Sequence, residues 1–229
     1  MGLFICLKNP LDKNALHNKI ETDLISEYEY IPFSLAEFKR IIALILKATN
    51  SSGETFCKKF DSTGKLQGIS TEMIAGHSTG DDTVLILSNK DSIEEIQNAD
   101  DIQSILIFNY YEEDEEESLK KYELNIFVLC SNQLTNARGG RILLESLIDI
   151  SRRNGIRTIF LAPSENAISY YKRFRFELDP VHNFMTLQLG GRKQKKRKYI
   201  LYSRKRNKMR QYSRKRKKSK TNKIKLKNK

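Results

Sequence analysis

The sequence predicts an α/β domain built on a mixed sheet and followed by a polybasic tail, and three observations carry that prediction. A strand, a glycine-bearing turn, a helix and a second strand succeed one another between Glu123 and Ala162, which is the βαβ order. Short runs rich in Ile, Leu, Val and aromatic residues precede that unit, as strands do. The charge is divided unevenly along the chain. From Gly190 onward 21 of 40 residues are Lys or Arg with no Asp or Glu, leaving 20 basic against 28 acidic residues in 1–189. A body of net charge −8 therefore carries a tail of +21, although the whole chain reads only +13. A chain of 229 residues holds one well-filled core rather than two large domains, so the predicted division is a domain over 1–189 and a disordered tail over 190–229.

The elements follow in order. Leu35, Phe38, Ile41, Ile42, Ile45 and Leu46 recur at helical spacing between Ser34 and Ala48, with Ser34 as N-cap and Glu37 three residues on, the capping-box pattern. Thr83–Leu87, Ile102–Tyr110 and Glu123–Cys130 read as strands, the last two as a hairpin. Between them the acidic run Glu112, Glu113, Asp114, Glu115, Glu116 and Glu117 reads as an exposed turn that repels itself away from the core, and it could also attract a cation or the tail. From Arg141 to Arg153, Ile142, Leu143, Leu147, Ile148 and Ile150 make a buried helix face. Arg152 and Arg153 suit the C-terminal dipole and Gly155 the stop. Ile156–Ala162 is a strand covered on both faces. A second helix over about Asn166–Phe174 follows, then strands near Phe176–Leu178 and Phe184–Leu189.

Composition excludes several classes. The apolar stretch Leu3–Leu7 is too short for a signal peptide or a membrane span, so no transmembrane segment is expected. Gly2 follows Met1, but Cys6 stands where N-myristoylation needs Ser or Thr. Cys6, Cys57 and Cys130 show no paired spacing, which suggests neither a disulfide framework nor a zinc site and fits a reducing, intracellular setting. His17, His77 and His182 are isolated in the sequence and read as structural or surface residues, with no metal expected.

The turn Asn136, Ala137, Arg138, Gly139, Gly140, Arg141 lies between a strand and a helix, where backbone amides and the helix dipole converge on an anion. With that turn in place, the segment from Tyr122 to Phe176 resembles the cofactor core of the GNAT acetyltransferase superfamily, whose pattern runs Arg/Gln-x-x-Gly-x-Gly/Ala into a helix. Gly139 aligned with the first glycine puts Asn136 at the Arg/Gln position and Arg141 at the final small position. Ser164 to Phe176 is similar to the family's second stretch, Asn-x-x-Ala-x-x-Leu-Tyr-x-x-Leu-Gly-Phe. There Ala167, Tyr171, Phe174 and Phe176 fall in register, Ser164 and the nearby Asn166 stand for the Asn, and Arg175 replaces the glycine.

What the resemblance implies is a GNAT-like acyl-CoA N-acyltransferase fold with a cofactor core over about 122–189. Acetyl-CoA is the cosubstrate, its pyrophosphate on Asn136, Arg138, Gly139, Gly140 and Arg141, with Ser164 and Asn166 nearby. Its pantetheine lies between two parted strands, here Glu123–Cys130 and Ile156–Ala162, and an amide near Leu129 or Cys130 stabilises the oxyanion. The acceptor amine attacks the thioester directly, and Tyr171 protonates the departing CoA thiolate. An ammonium acceptor must first lose a proton to a carboxylate or an ordered water, for which Glu123 is a weak candidate. Cys130 reads as a core residue rather than a nucleophile.

The tail repeats Tyr202 Ser203 Arg204 Lys205 Arg206 as Tyr212 Ser213 Arg214 Lys215 Arg216. Such a segment neutralises many phosphates, and Tyr199, Tyr202 and Tyr212 can stack on unpaired bases, so the expected partner of 192–229 is nucleic acid or another polyanion. The same composition serves as a nuclear localisation signal. Two functions follow: an N-acetyltransferase for an unknown amine acceptor, guided by its tail, or a catalytically degenerate GNAT-fold protein that binds or packages nucleic acid.

Overall fold

The computed structural model describes residues 1–7, 15–77, 79–113 and 121–189. The basic tail and residues 114–117 of the acidic run lie outside them. The described elements are β1 (Gly2–Cys6), α1 (Ala15–Tyr28), β2 (Ile31–Phe33), α2 (Leu35–Lys47), β3 (Lys58–Phe60), β4 (Leu66–Gly68), α3 (Thr71–Gly76), β5 (Thr83–Ser88), β6 (Ile102–Glu113), β7 (Lys121–Ser131), α4 (Gly140–Arg153), β8 (Thr158–Leu161), α5 (Ile168–Lys172), β9 (Glu177–Asp179) and β10 (Phe184–Gln188). Eight strands form one mixed sheet in the order β2-β1-β5-β6-β7-β8-β10-β9, and β3 and β4 form a separate hairpin. The sheet is antiparallel except where β1 meets β2 and β7 meets β8.

Each face of the sheet packs against its own helices. Leu3, Ile5, Leu85, Leu87, Leu106, Phe108, Leu124 and Ile126 face α1, α4 and α5. Phe4, Cys6, Val84, Ile86, Ile105, Ile107, Val128 and Cys130 face α2, α3 and the loop carrying Phe56 and Cys57. Strand alternation sorts these side chains by parity. The five-residue β1 is buried throughout between β2 and β5, so the apolar opening stretch is a strand inside the sheet.

Local signals act as expected around α2. Ser34 Oγ accepts from the Glu37 amide at 3.2 Å and Glu37 Oε2 accepts from the Ser34 amide at 2.8 Å, completing the capping box. Tertiary pairing alters two other expectations. The β6–β7 ladder runs on through Glu112↔Tyr122 and Glu113↔Lys121, so the first two residues of the acidic run are strand rather than turn. Beyond the turn after β8, the expected nine-residue helix is a 3-10 turn at Glu165–Ala167 followed by α5 over Ile168–Lys172. Among the described residues no helix is long and apolar enough to cross a membrane.

Candidate active site

Counted from β1 along the sheet, β7 and β8 are the fourth and fifth strands, and they part. Their parallel pairing covers only Glu123↔Thr158, Leu124↔Ile159, Asn125↔Phe160 and Ile126↔Leu161. β7 continues five residues further, to Ser131, while β8 ends at Leu161. The opening begins at a bulge. Ile107 pairs with Val128 and Phe108 with Ile126, so Phe127 is the extra residue. Phe127 and Val128 consequently pack on the same face although they are consecutive. A bulge leaves one residue out of the ladder and turns the strand, here where β7 leaves β8.

At the far end of the opening stands the N-terminus of α4. Asn132 anchors the chain between them: its buried side chain donates to the Ala99 and Ile102 carbonyls, both at 3.0 Å, and accepts from the Leu134 amide at 3.0 Å. Nothing in the local pattern singles this residue out; an Asn just after a strand, able to close an Asx-turn, is the only signal. Asn136 takes a left-handed backbone (φ 53°), and Lys59 Nζ donates to its Oδ1 at 2.6 Å, which brings an ammonium from the β3–β4 hairpin to the turn.

The two glycines serve packing. A Cβ on Gly139 would lie 2.5 Å from Leu87 Cδ2 and 2.9 Å from Ser104 Cβ, and one on Gly140 would lie 3.0 Å from Ser131 Oγ. The start of α4 is thereby pressed onto β5, β6 and β7. The Gly140 amide donates to Ser131 Oγ at 3.0 Å, so one amide expected to face an anion is already engaged. A side chain at either Gly139 or Gly140 would crowd the sheet at the helix start. Arg141 is exposed and its Nε pairs with Glu145 Oε1 at 2.8 Å, one helical turn on. Arg138 is also exposed.

Leu129 packs toward the α4 face and Cys130 toward the other. Cys130 is bonded to Cys57, which corrects the expectation of unpaired cysteines. The partners are 73 residues apart in sequence and meet because the loop before β3 folds onto β7, where the Gln133 amide also donates to the Phe56 carbonyl at 2.8 Å. The expectation of a reducing setting drew on that supposed lack of pairing and loses its support. Cys6 is free and buried, and burial, followed by the Glu21 and Glu37 carboxylates, pushes its thiol up to about 12.

On the α4 face, Tyr171 is 6% exposed, with Phe176 and Tyr170 ring centroids 5.7 and 5.3 Å away. Burial raises its phenol well above the usual tyrosine range. Among the described residues the buried Tyr170 hydroxyl has no hydrogen-bond partner, and it feels Glu145 and Arg141 of the first turns of α4. Burial, then the Glu145 carboxylate, pushes its phenol up to about 12. Ser164 and Asn166 are exposed in the 3-10 turn before α5, where Ser164 offers its carbonyl to the Ala167 amide at 2.9 Å. Arg175 adopts φ 70°, the left-handed corner for which a glycine is suited.

The histidines are not isolated in space. His77 Nδ1 lies 2.6 Å from Asp82 Oδ2, and its ring centroid is 4.8 Å from that of Phe127. His17 meets Tyr110 edge-on at 5.0 Å, and His182 Nδ1 lies 3.0 Å from Asp179 Oδ2.

The strand order, the parted fourth and fifth strands and the glycine-started helix after the fourth define a mixed α/β fold of the GNAT acyl-CoA N-acyltransferase type. No family model matches the sequence, and no curated protein matches it. Among solved structures, a mutant of the toxin AtaT bound to the C-terminus of the antitoxin AtaR and acetyl-CoA is 15% identical over 51% of this chain and 73% of that one, with a TM-score of 0.38. AtaT complexed with acetyl-methionyl-tRNAfMet is 12% identical over 52% and 77%, with a TM-score of 0.37. GCN5 of Tetrahymena is 13% identical over 83% and 97%, with a TM-score of 0.40.

Proposed function

We propose that the domain over 1–189 is an acetyl-CoA-dependent N-acetyltransferase that transfers acetyl to an amine by direct attack. The observation that carries this reading is the parting of β7 from β8 beyond Ile126 and Leu161, with a bulge at its mouth and the N-terminus of the 14-residue α4 at its far end. An acyl-CoA arm laid along Phe127–Ser131, past Leu129 and Cys130, takes the place of the missing neighbouring strand. Its phosphates meet the α4 dipole, the exposed Arg138 and the Lys59 ammonium held at Asn136. The orphaned Tyr170 hydroxyl, beside the first turns of α4, fits the polar arm as a partner. Gly139 and Gly140 act by setting α4 against the sheet, Ser164 and Asn166 border the arm, and Arg141 stays outside it.

The bulge favours an oxyanion-stabilising amide at Phe127 or Val128, nearer the mouth than the Leu129 and Cys130 amides. Tyr171 supplies the proton to the leaving thiolate. Its phenol, protonated at neutral pH even before burial raises it further, is in the state a general acid needs. The tail over 190–229, with 21 cations, brings the domain to nucleic acid or another polyanion. Calorimetric titration of acetyl-CoA into the full-length chain, at salt high enough to screen the tail, tests the reading. Saturable binding that disappears in Gly139→Glu is expected; a folded chain that binds no acetyl-CoA would overturn it.

A further inference from the structure

The opening between β7 and β8 has two chemically different sides. α4, α5 and Tyr171 lie on one, and the bulge turns the Phe127 side chain to the other. We propose that on this second side His77, oriented by Asp82, takes the proton from an alkylammonium acceptor as the amine approaches the thioester. The inference rests on the acetyltransferase reading and names the acceptor side of the same site.

Three observations converge. First, the His77 ring lies against Phe127 (4.8 Å, 31° between planes), the residue at which the strands part, so an imidazole stands at the mouth itself. Second, His77 Nδ1 is committed to Asp82 Oδ2 at 2.6 Å, with both side chains largely shielded (19% and 11% exposed). A ring that donates Nδ1–H to a carboxylate presents the lone pair of Nε2, the arrangement of an oriented general base. Third, the sheet beyond Phe127 on this side offers a floor for a cation. Register places Asn109, Asn125 and Phe160 in one row and Tyr111, Glu123 and Thr158 in the next, all partly exposed or exposed, with the Tyr111 and Phe160 rings stacked at 6.3 Å. Aromatic faces and a carboxylate attract an ammonium. Glu123 alone serves less well as the base: it precedes Phe127 by four residues, about 13 Å along a strand, whereas His77 touches Phe127.

The protons balance. His77 Nε2 accepts one proton from the ammonium and later yields it to solvent. The freed amine nitrogen attacks the thioester carbon, forming the C–N bond. The adduct gives up its second N–H proton as the C–S bond breaks, and the thiolate takes a proton from Tyr171, which is reprotonated from the adduct's proton. An amide, CoA thiol and one released proton result.

The test uses the full-length chain and two amines of similar size, ethylamine and trifluoroethylamine, the second already unprotonated at neutral pH. Acetyl-CoA affinity is measured alongside CoA thiol release. His77→Gln is expected to lower kcat/KM for ethylamine on the order of 100-fold, to lower it far less for trifluoroethylamine, and to leave acetyl-CoA affinity within about twofold. Asp82→Asn, which spares the imidazole, is expected to lose about tenfold with ethylamine only. Equal losses with both amines, no loss, or no turnover of either amine by a wild-type chain that binds acetyl-CoA would overturn the inference. Failure to bind acetyl-CoA at all would instead overturn the acetyltransferase reading beneath it.

Discussion

Gly139→Ala separates a glycine kept for packing from one kept for a ligand. Gly139 has φ −72° and ψ −24°, a backbone that any residue adopts, so the substitution introduces no conformational strain. The added Cβ would lie 2.5 Å from Leu87 Cδ2, 2.9 Å from Ser104 Cβ and 3.4 Å from Gln103 Cβ. Carbon atoms rest at about 3.5–4.0 Å, so the first contact overlaps by about 1 Å and the second by about 0.6 Å. Leu87 Cδ2 is a side-chain tip that can turn aside, but Ser104 Cβ is fixed to β6, which is hydrogen-bonded to β5 and β7 and cannot retreat alone. The start of α4 must then lift from the sheet, at an overpacking cost of about 1–3 kcal/mol. In a folded body of this size that lowers the melting temperature by roughly 3–10 °C. The same displacement moves the helix N-terminus away from the opening, so acetyl-CoA affinity falls as well. Thermal unfolding followed by circular dichroism, paired with acetyl-CoA calorimetry, measures both. An unchanged or raised melting temperature would refute the packing argument.

Four further outcomes are expected. Arg141→Ala removes an exposed side chain and its i,i+4 ion pair to Glu145, so stability should change by no more than about 0.5 kcal/mol and acetyl-CoA affinity by less than about threefold; a larger loss of affinity would put Arg141 on the cofactor. Arg175→Gly relieves a left-handed residue worth roughly 1–2 kcal/mol, against a glycine entropy cost of about 0.5–1 kcal/mol, so the melting temperature should rise by about 1–4 °C, and a fall would contradict the strained corner. Tyr171→Phe keeps the packing against Phe176 but removes the proton donor, so kcat should drop on the order of 100-fold with acetyl-CoA affinity retained; unchanged kcat would remove Tyr171 from the mechanism. A maleimide at neutral pH should label no cysteine of the folded, unreduced chain, because Cys6 is buried with its thiol pushed up to about 12 and the other two are bonded; labelling at Cys57 or Cys130 without reductant would disprove the bond.

Features written within a few residues of one another were legible in the sequence. The Ser34–Glu37 capping box, the helix ending at Arg153 and the strand–turn–helix–strand unit depend on contacts no more than about four residues apart or on side-chain period, and they appear where the pattern puts them. The turn after β7 and the short helix after β8 were legible for the same reason: each is continuous in sequence. The sequence put Arg175 where the resemblance expects a glycine, and the structure shows that corner to be left-handed.

Only the tertiary structure decided what depends on two distant segments meeting. That Gly139 and Gly140 must both be small turns on Leu87 of β5, Ser104 of β6, and Ser131 and Leu129 of β7, which no local pattern reports. The Cys57–Cys130 bond spans 73 residues, and β1 is a central strand only because β2 and β5 flank it. His77 is unremarkable among its neighbours in sequence until the sheet brings Phe127, fifty residues later, under its ring. Caps and periodic patterns are set by the backbone's own short-range geometry, whereas the opening between β7 and β8 and everything facing it are set by which strands pair and where pairing stops.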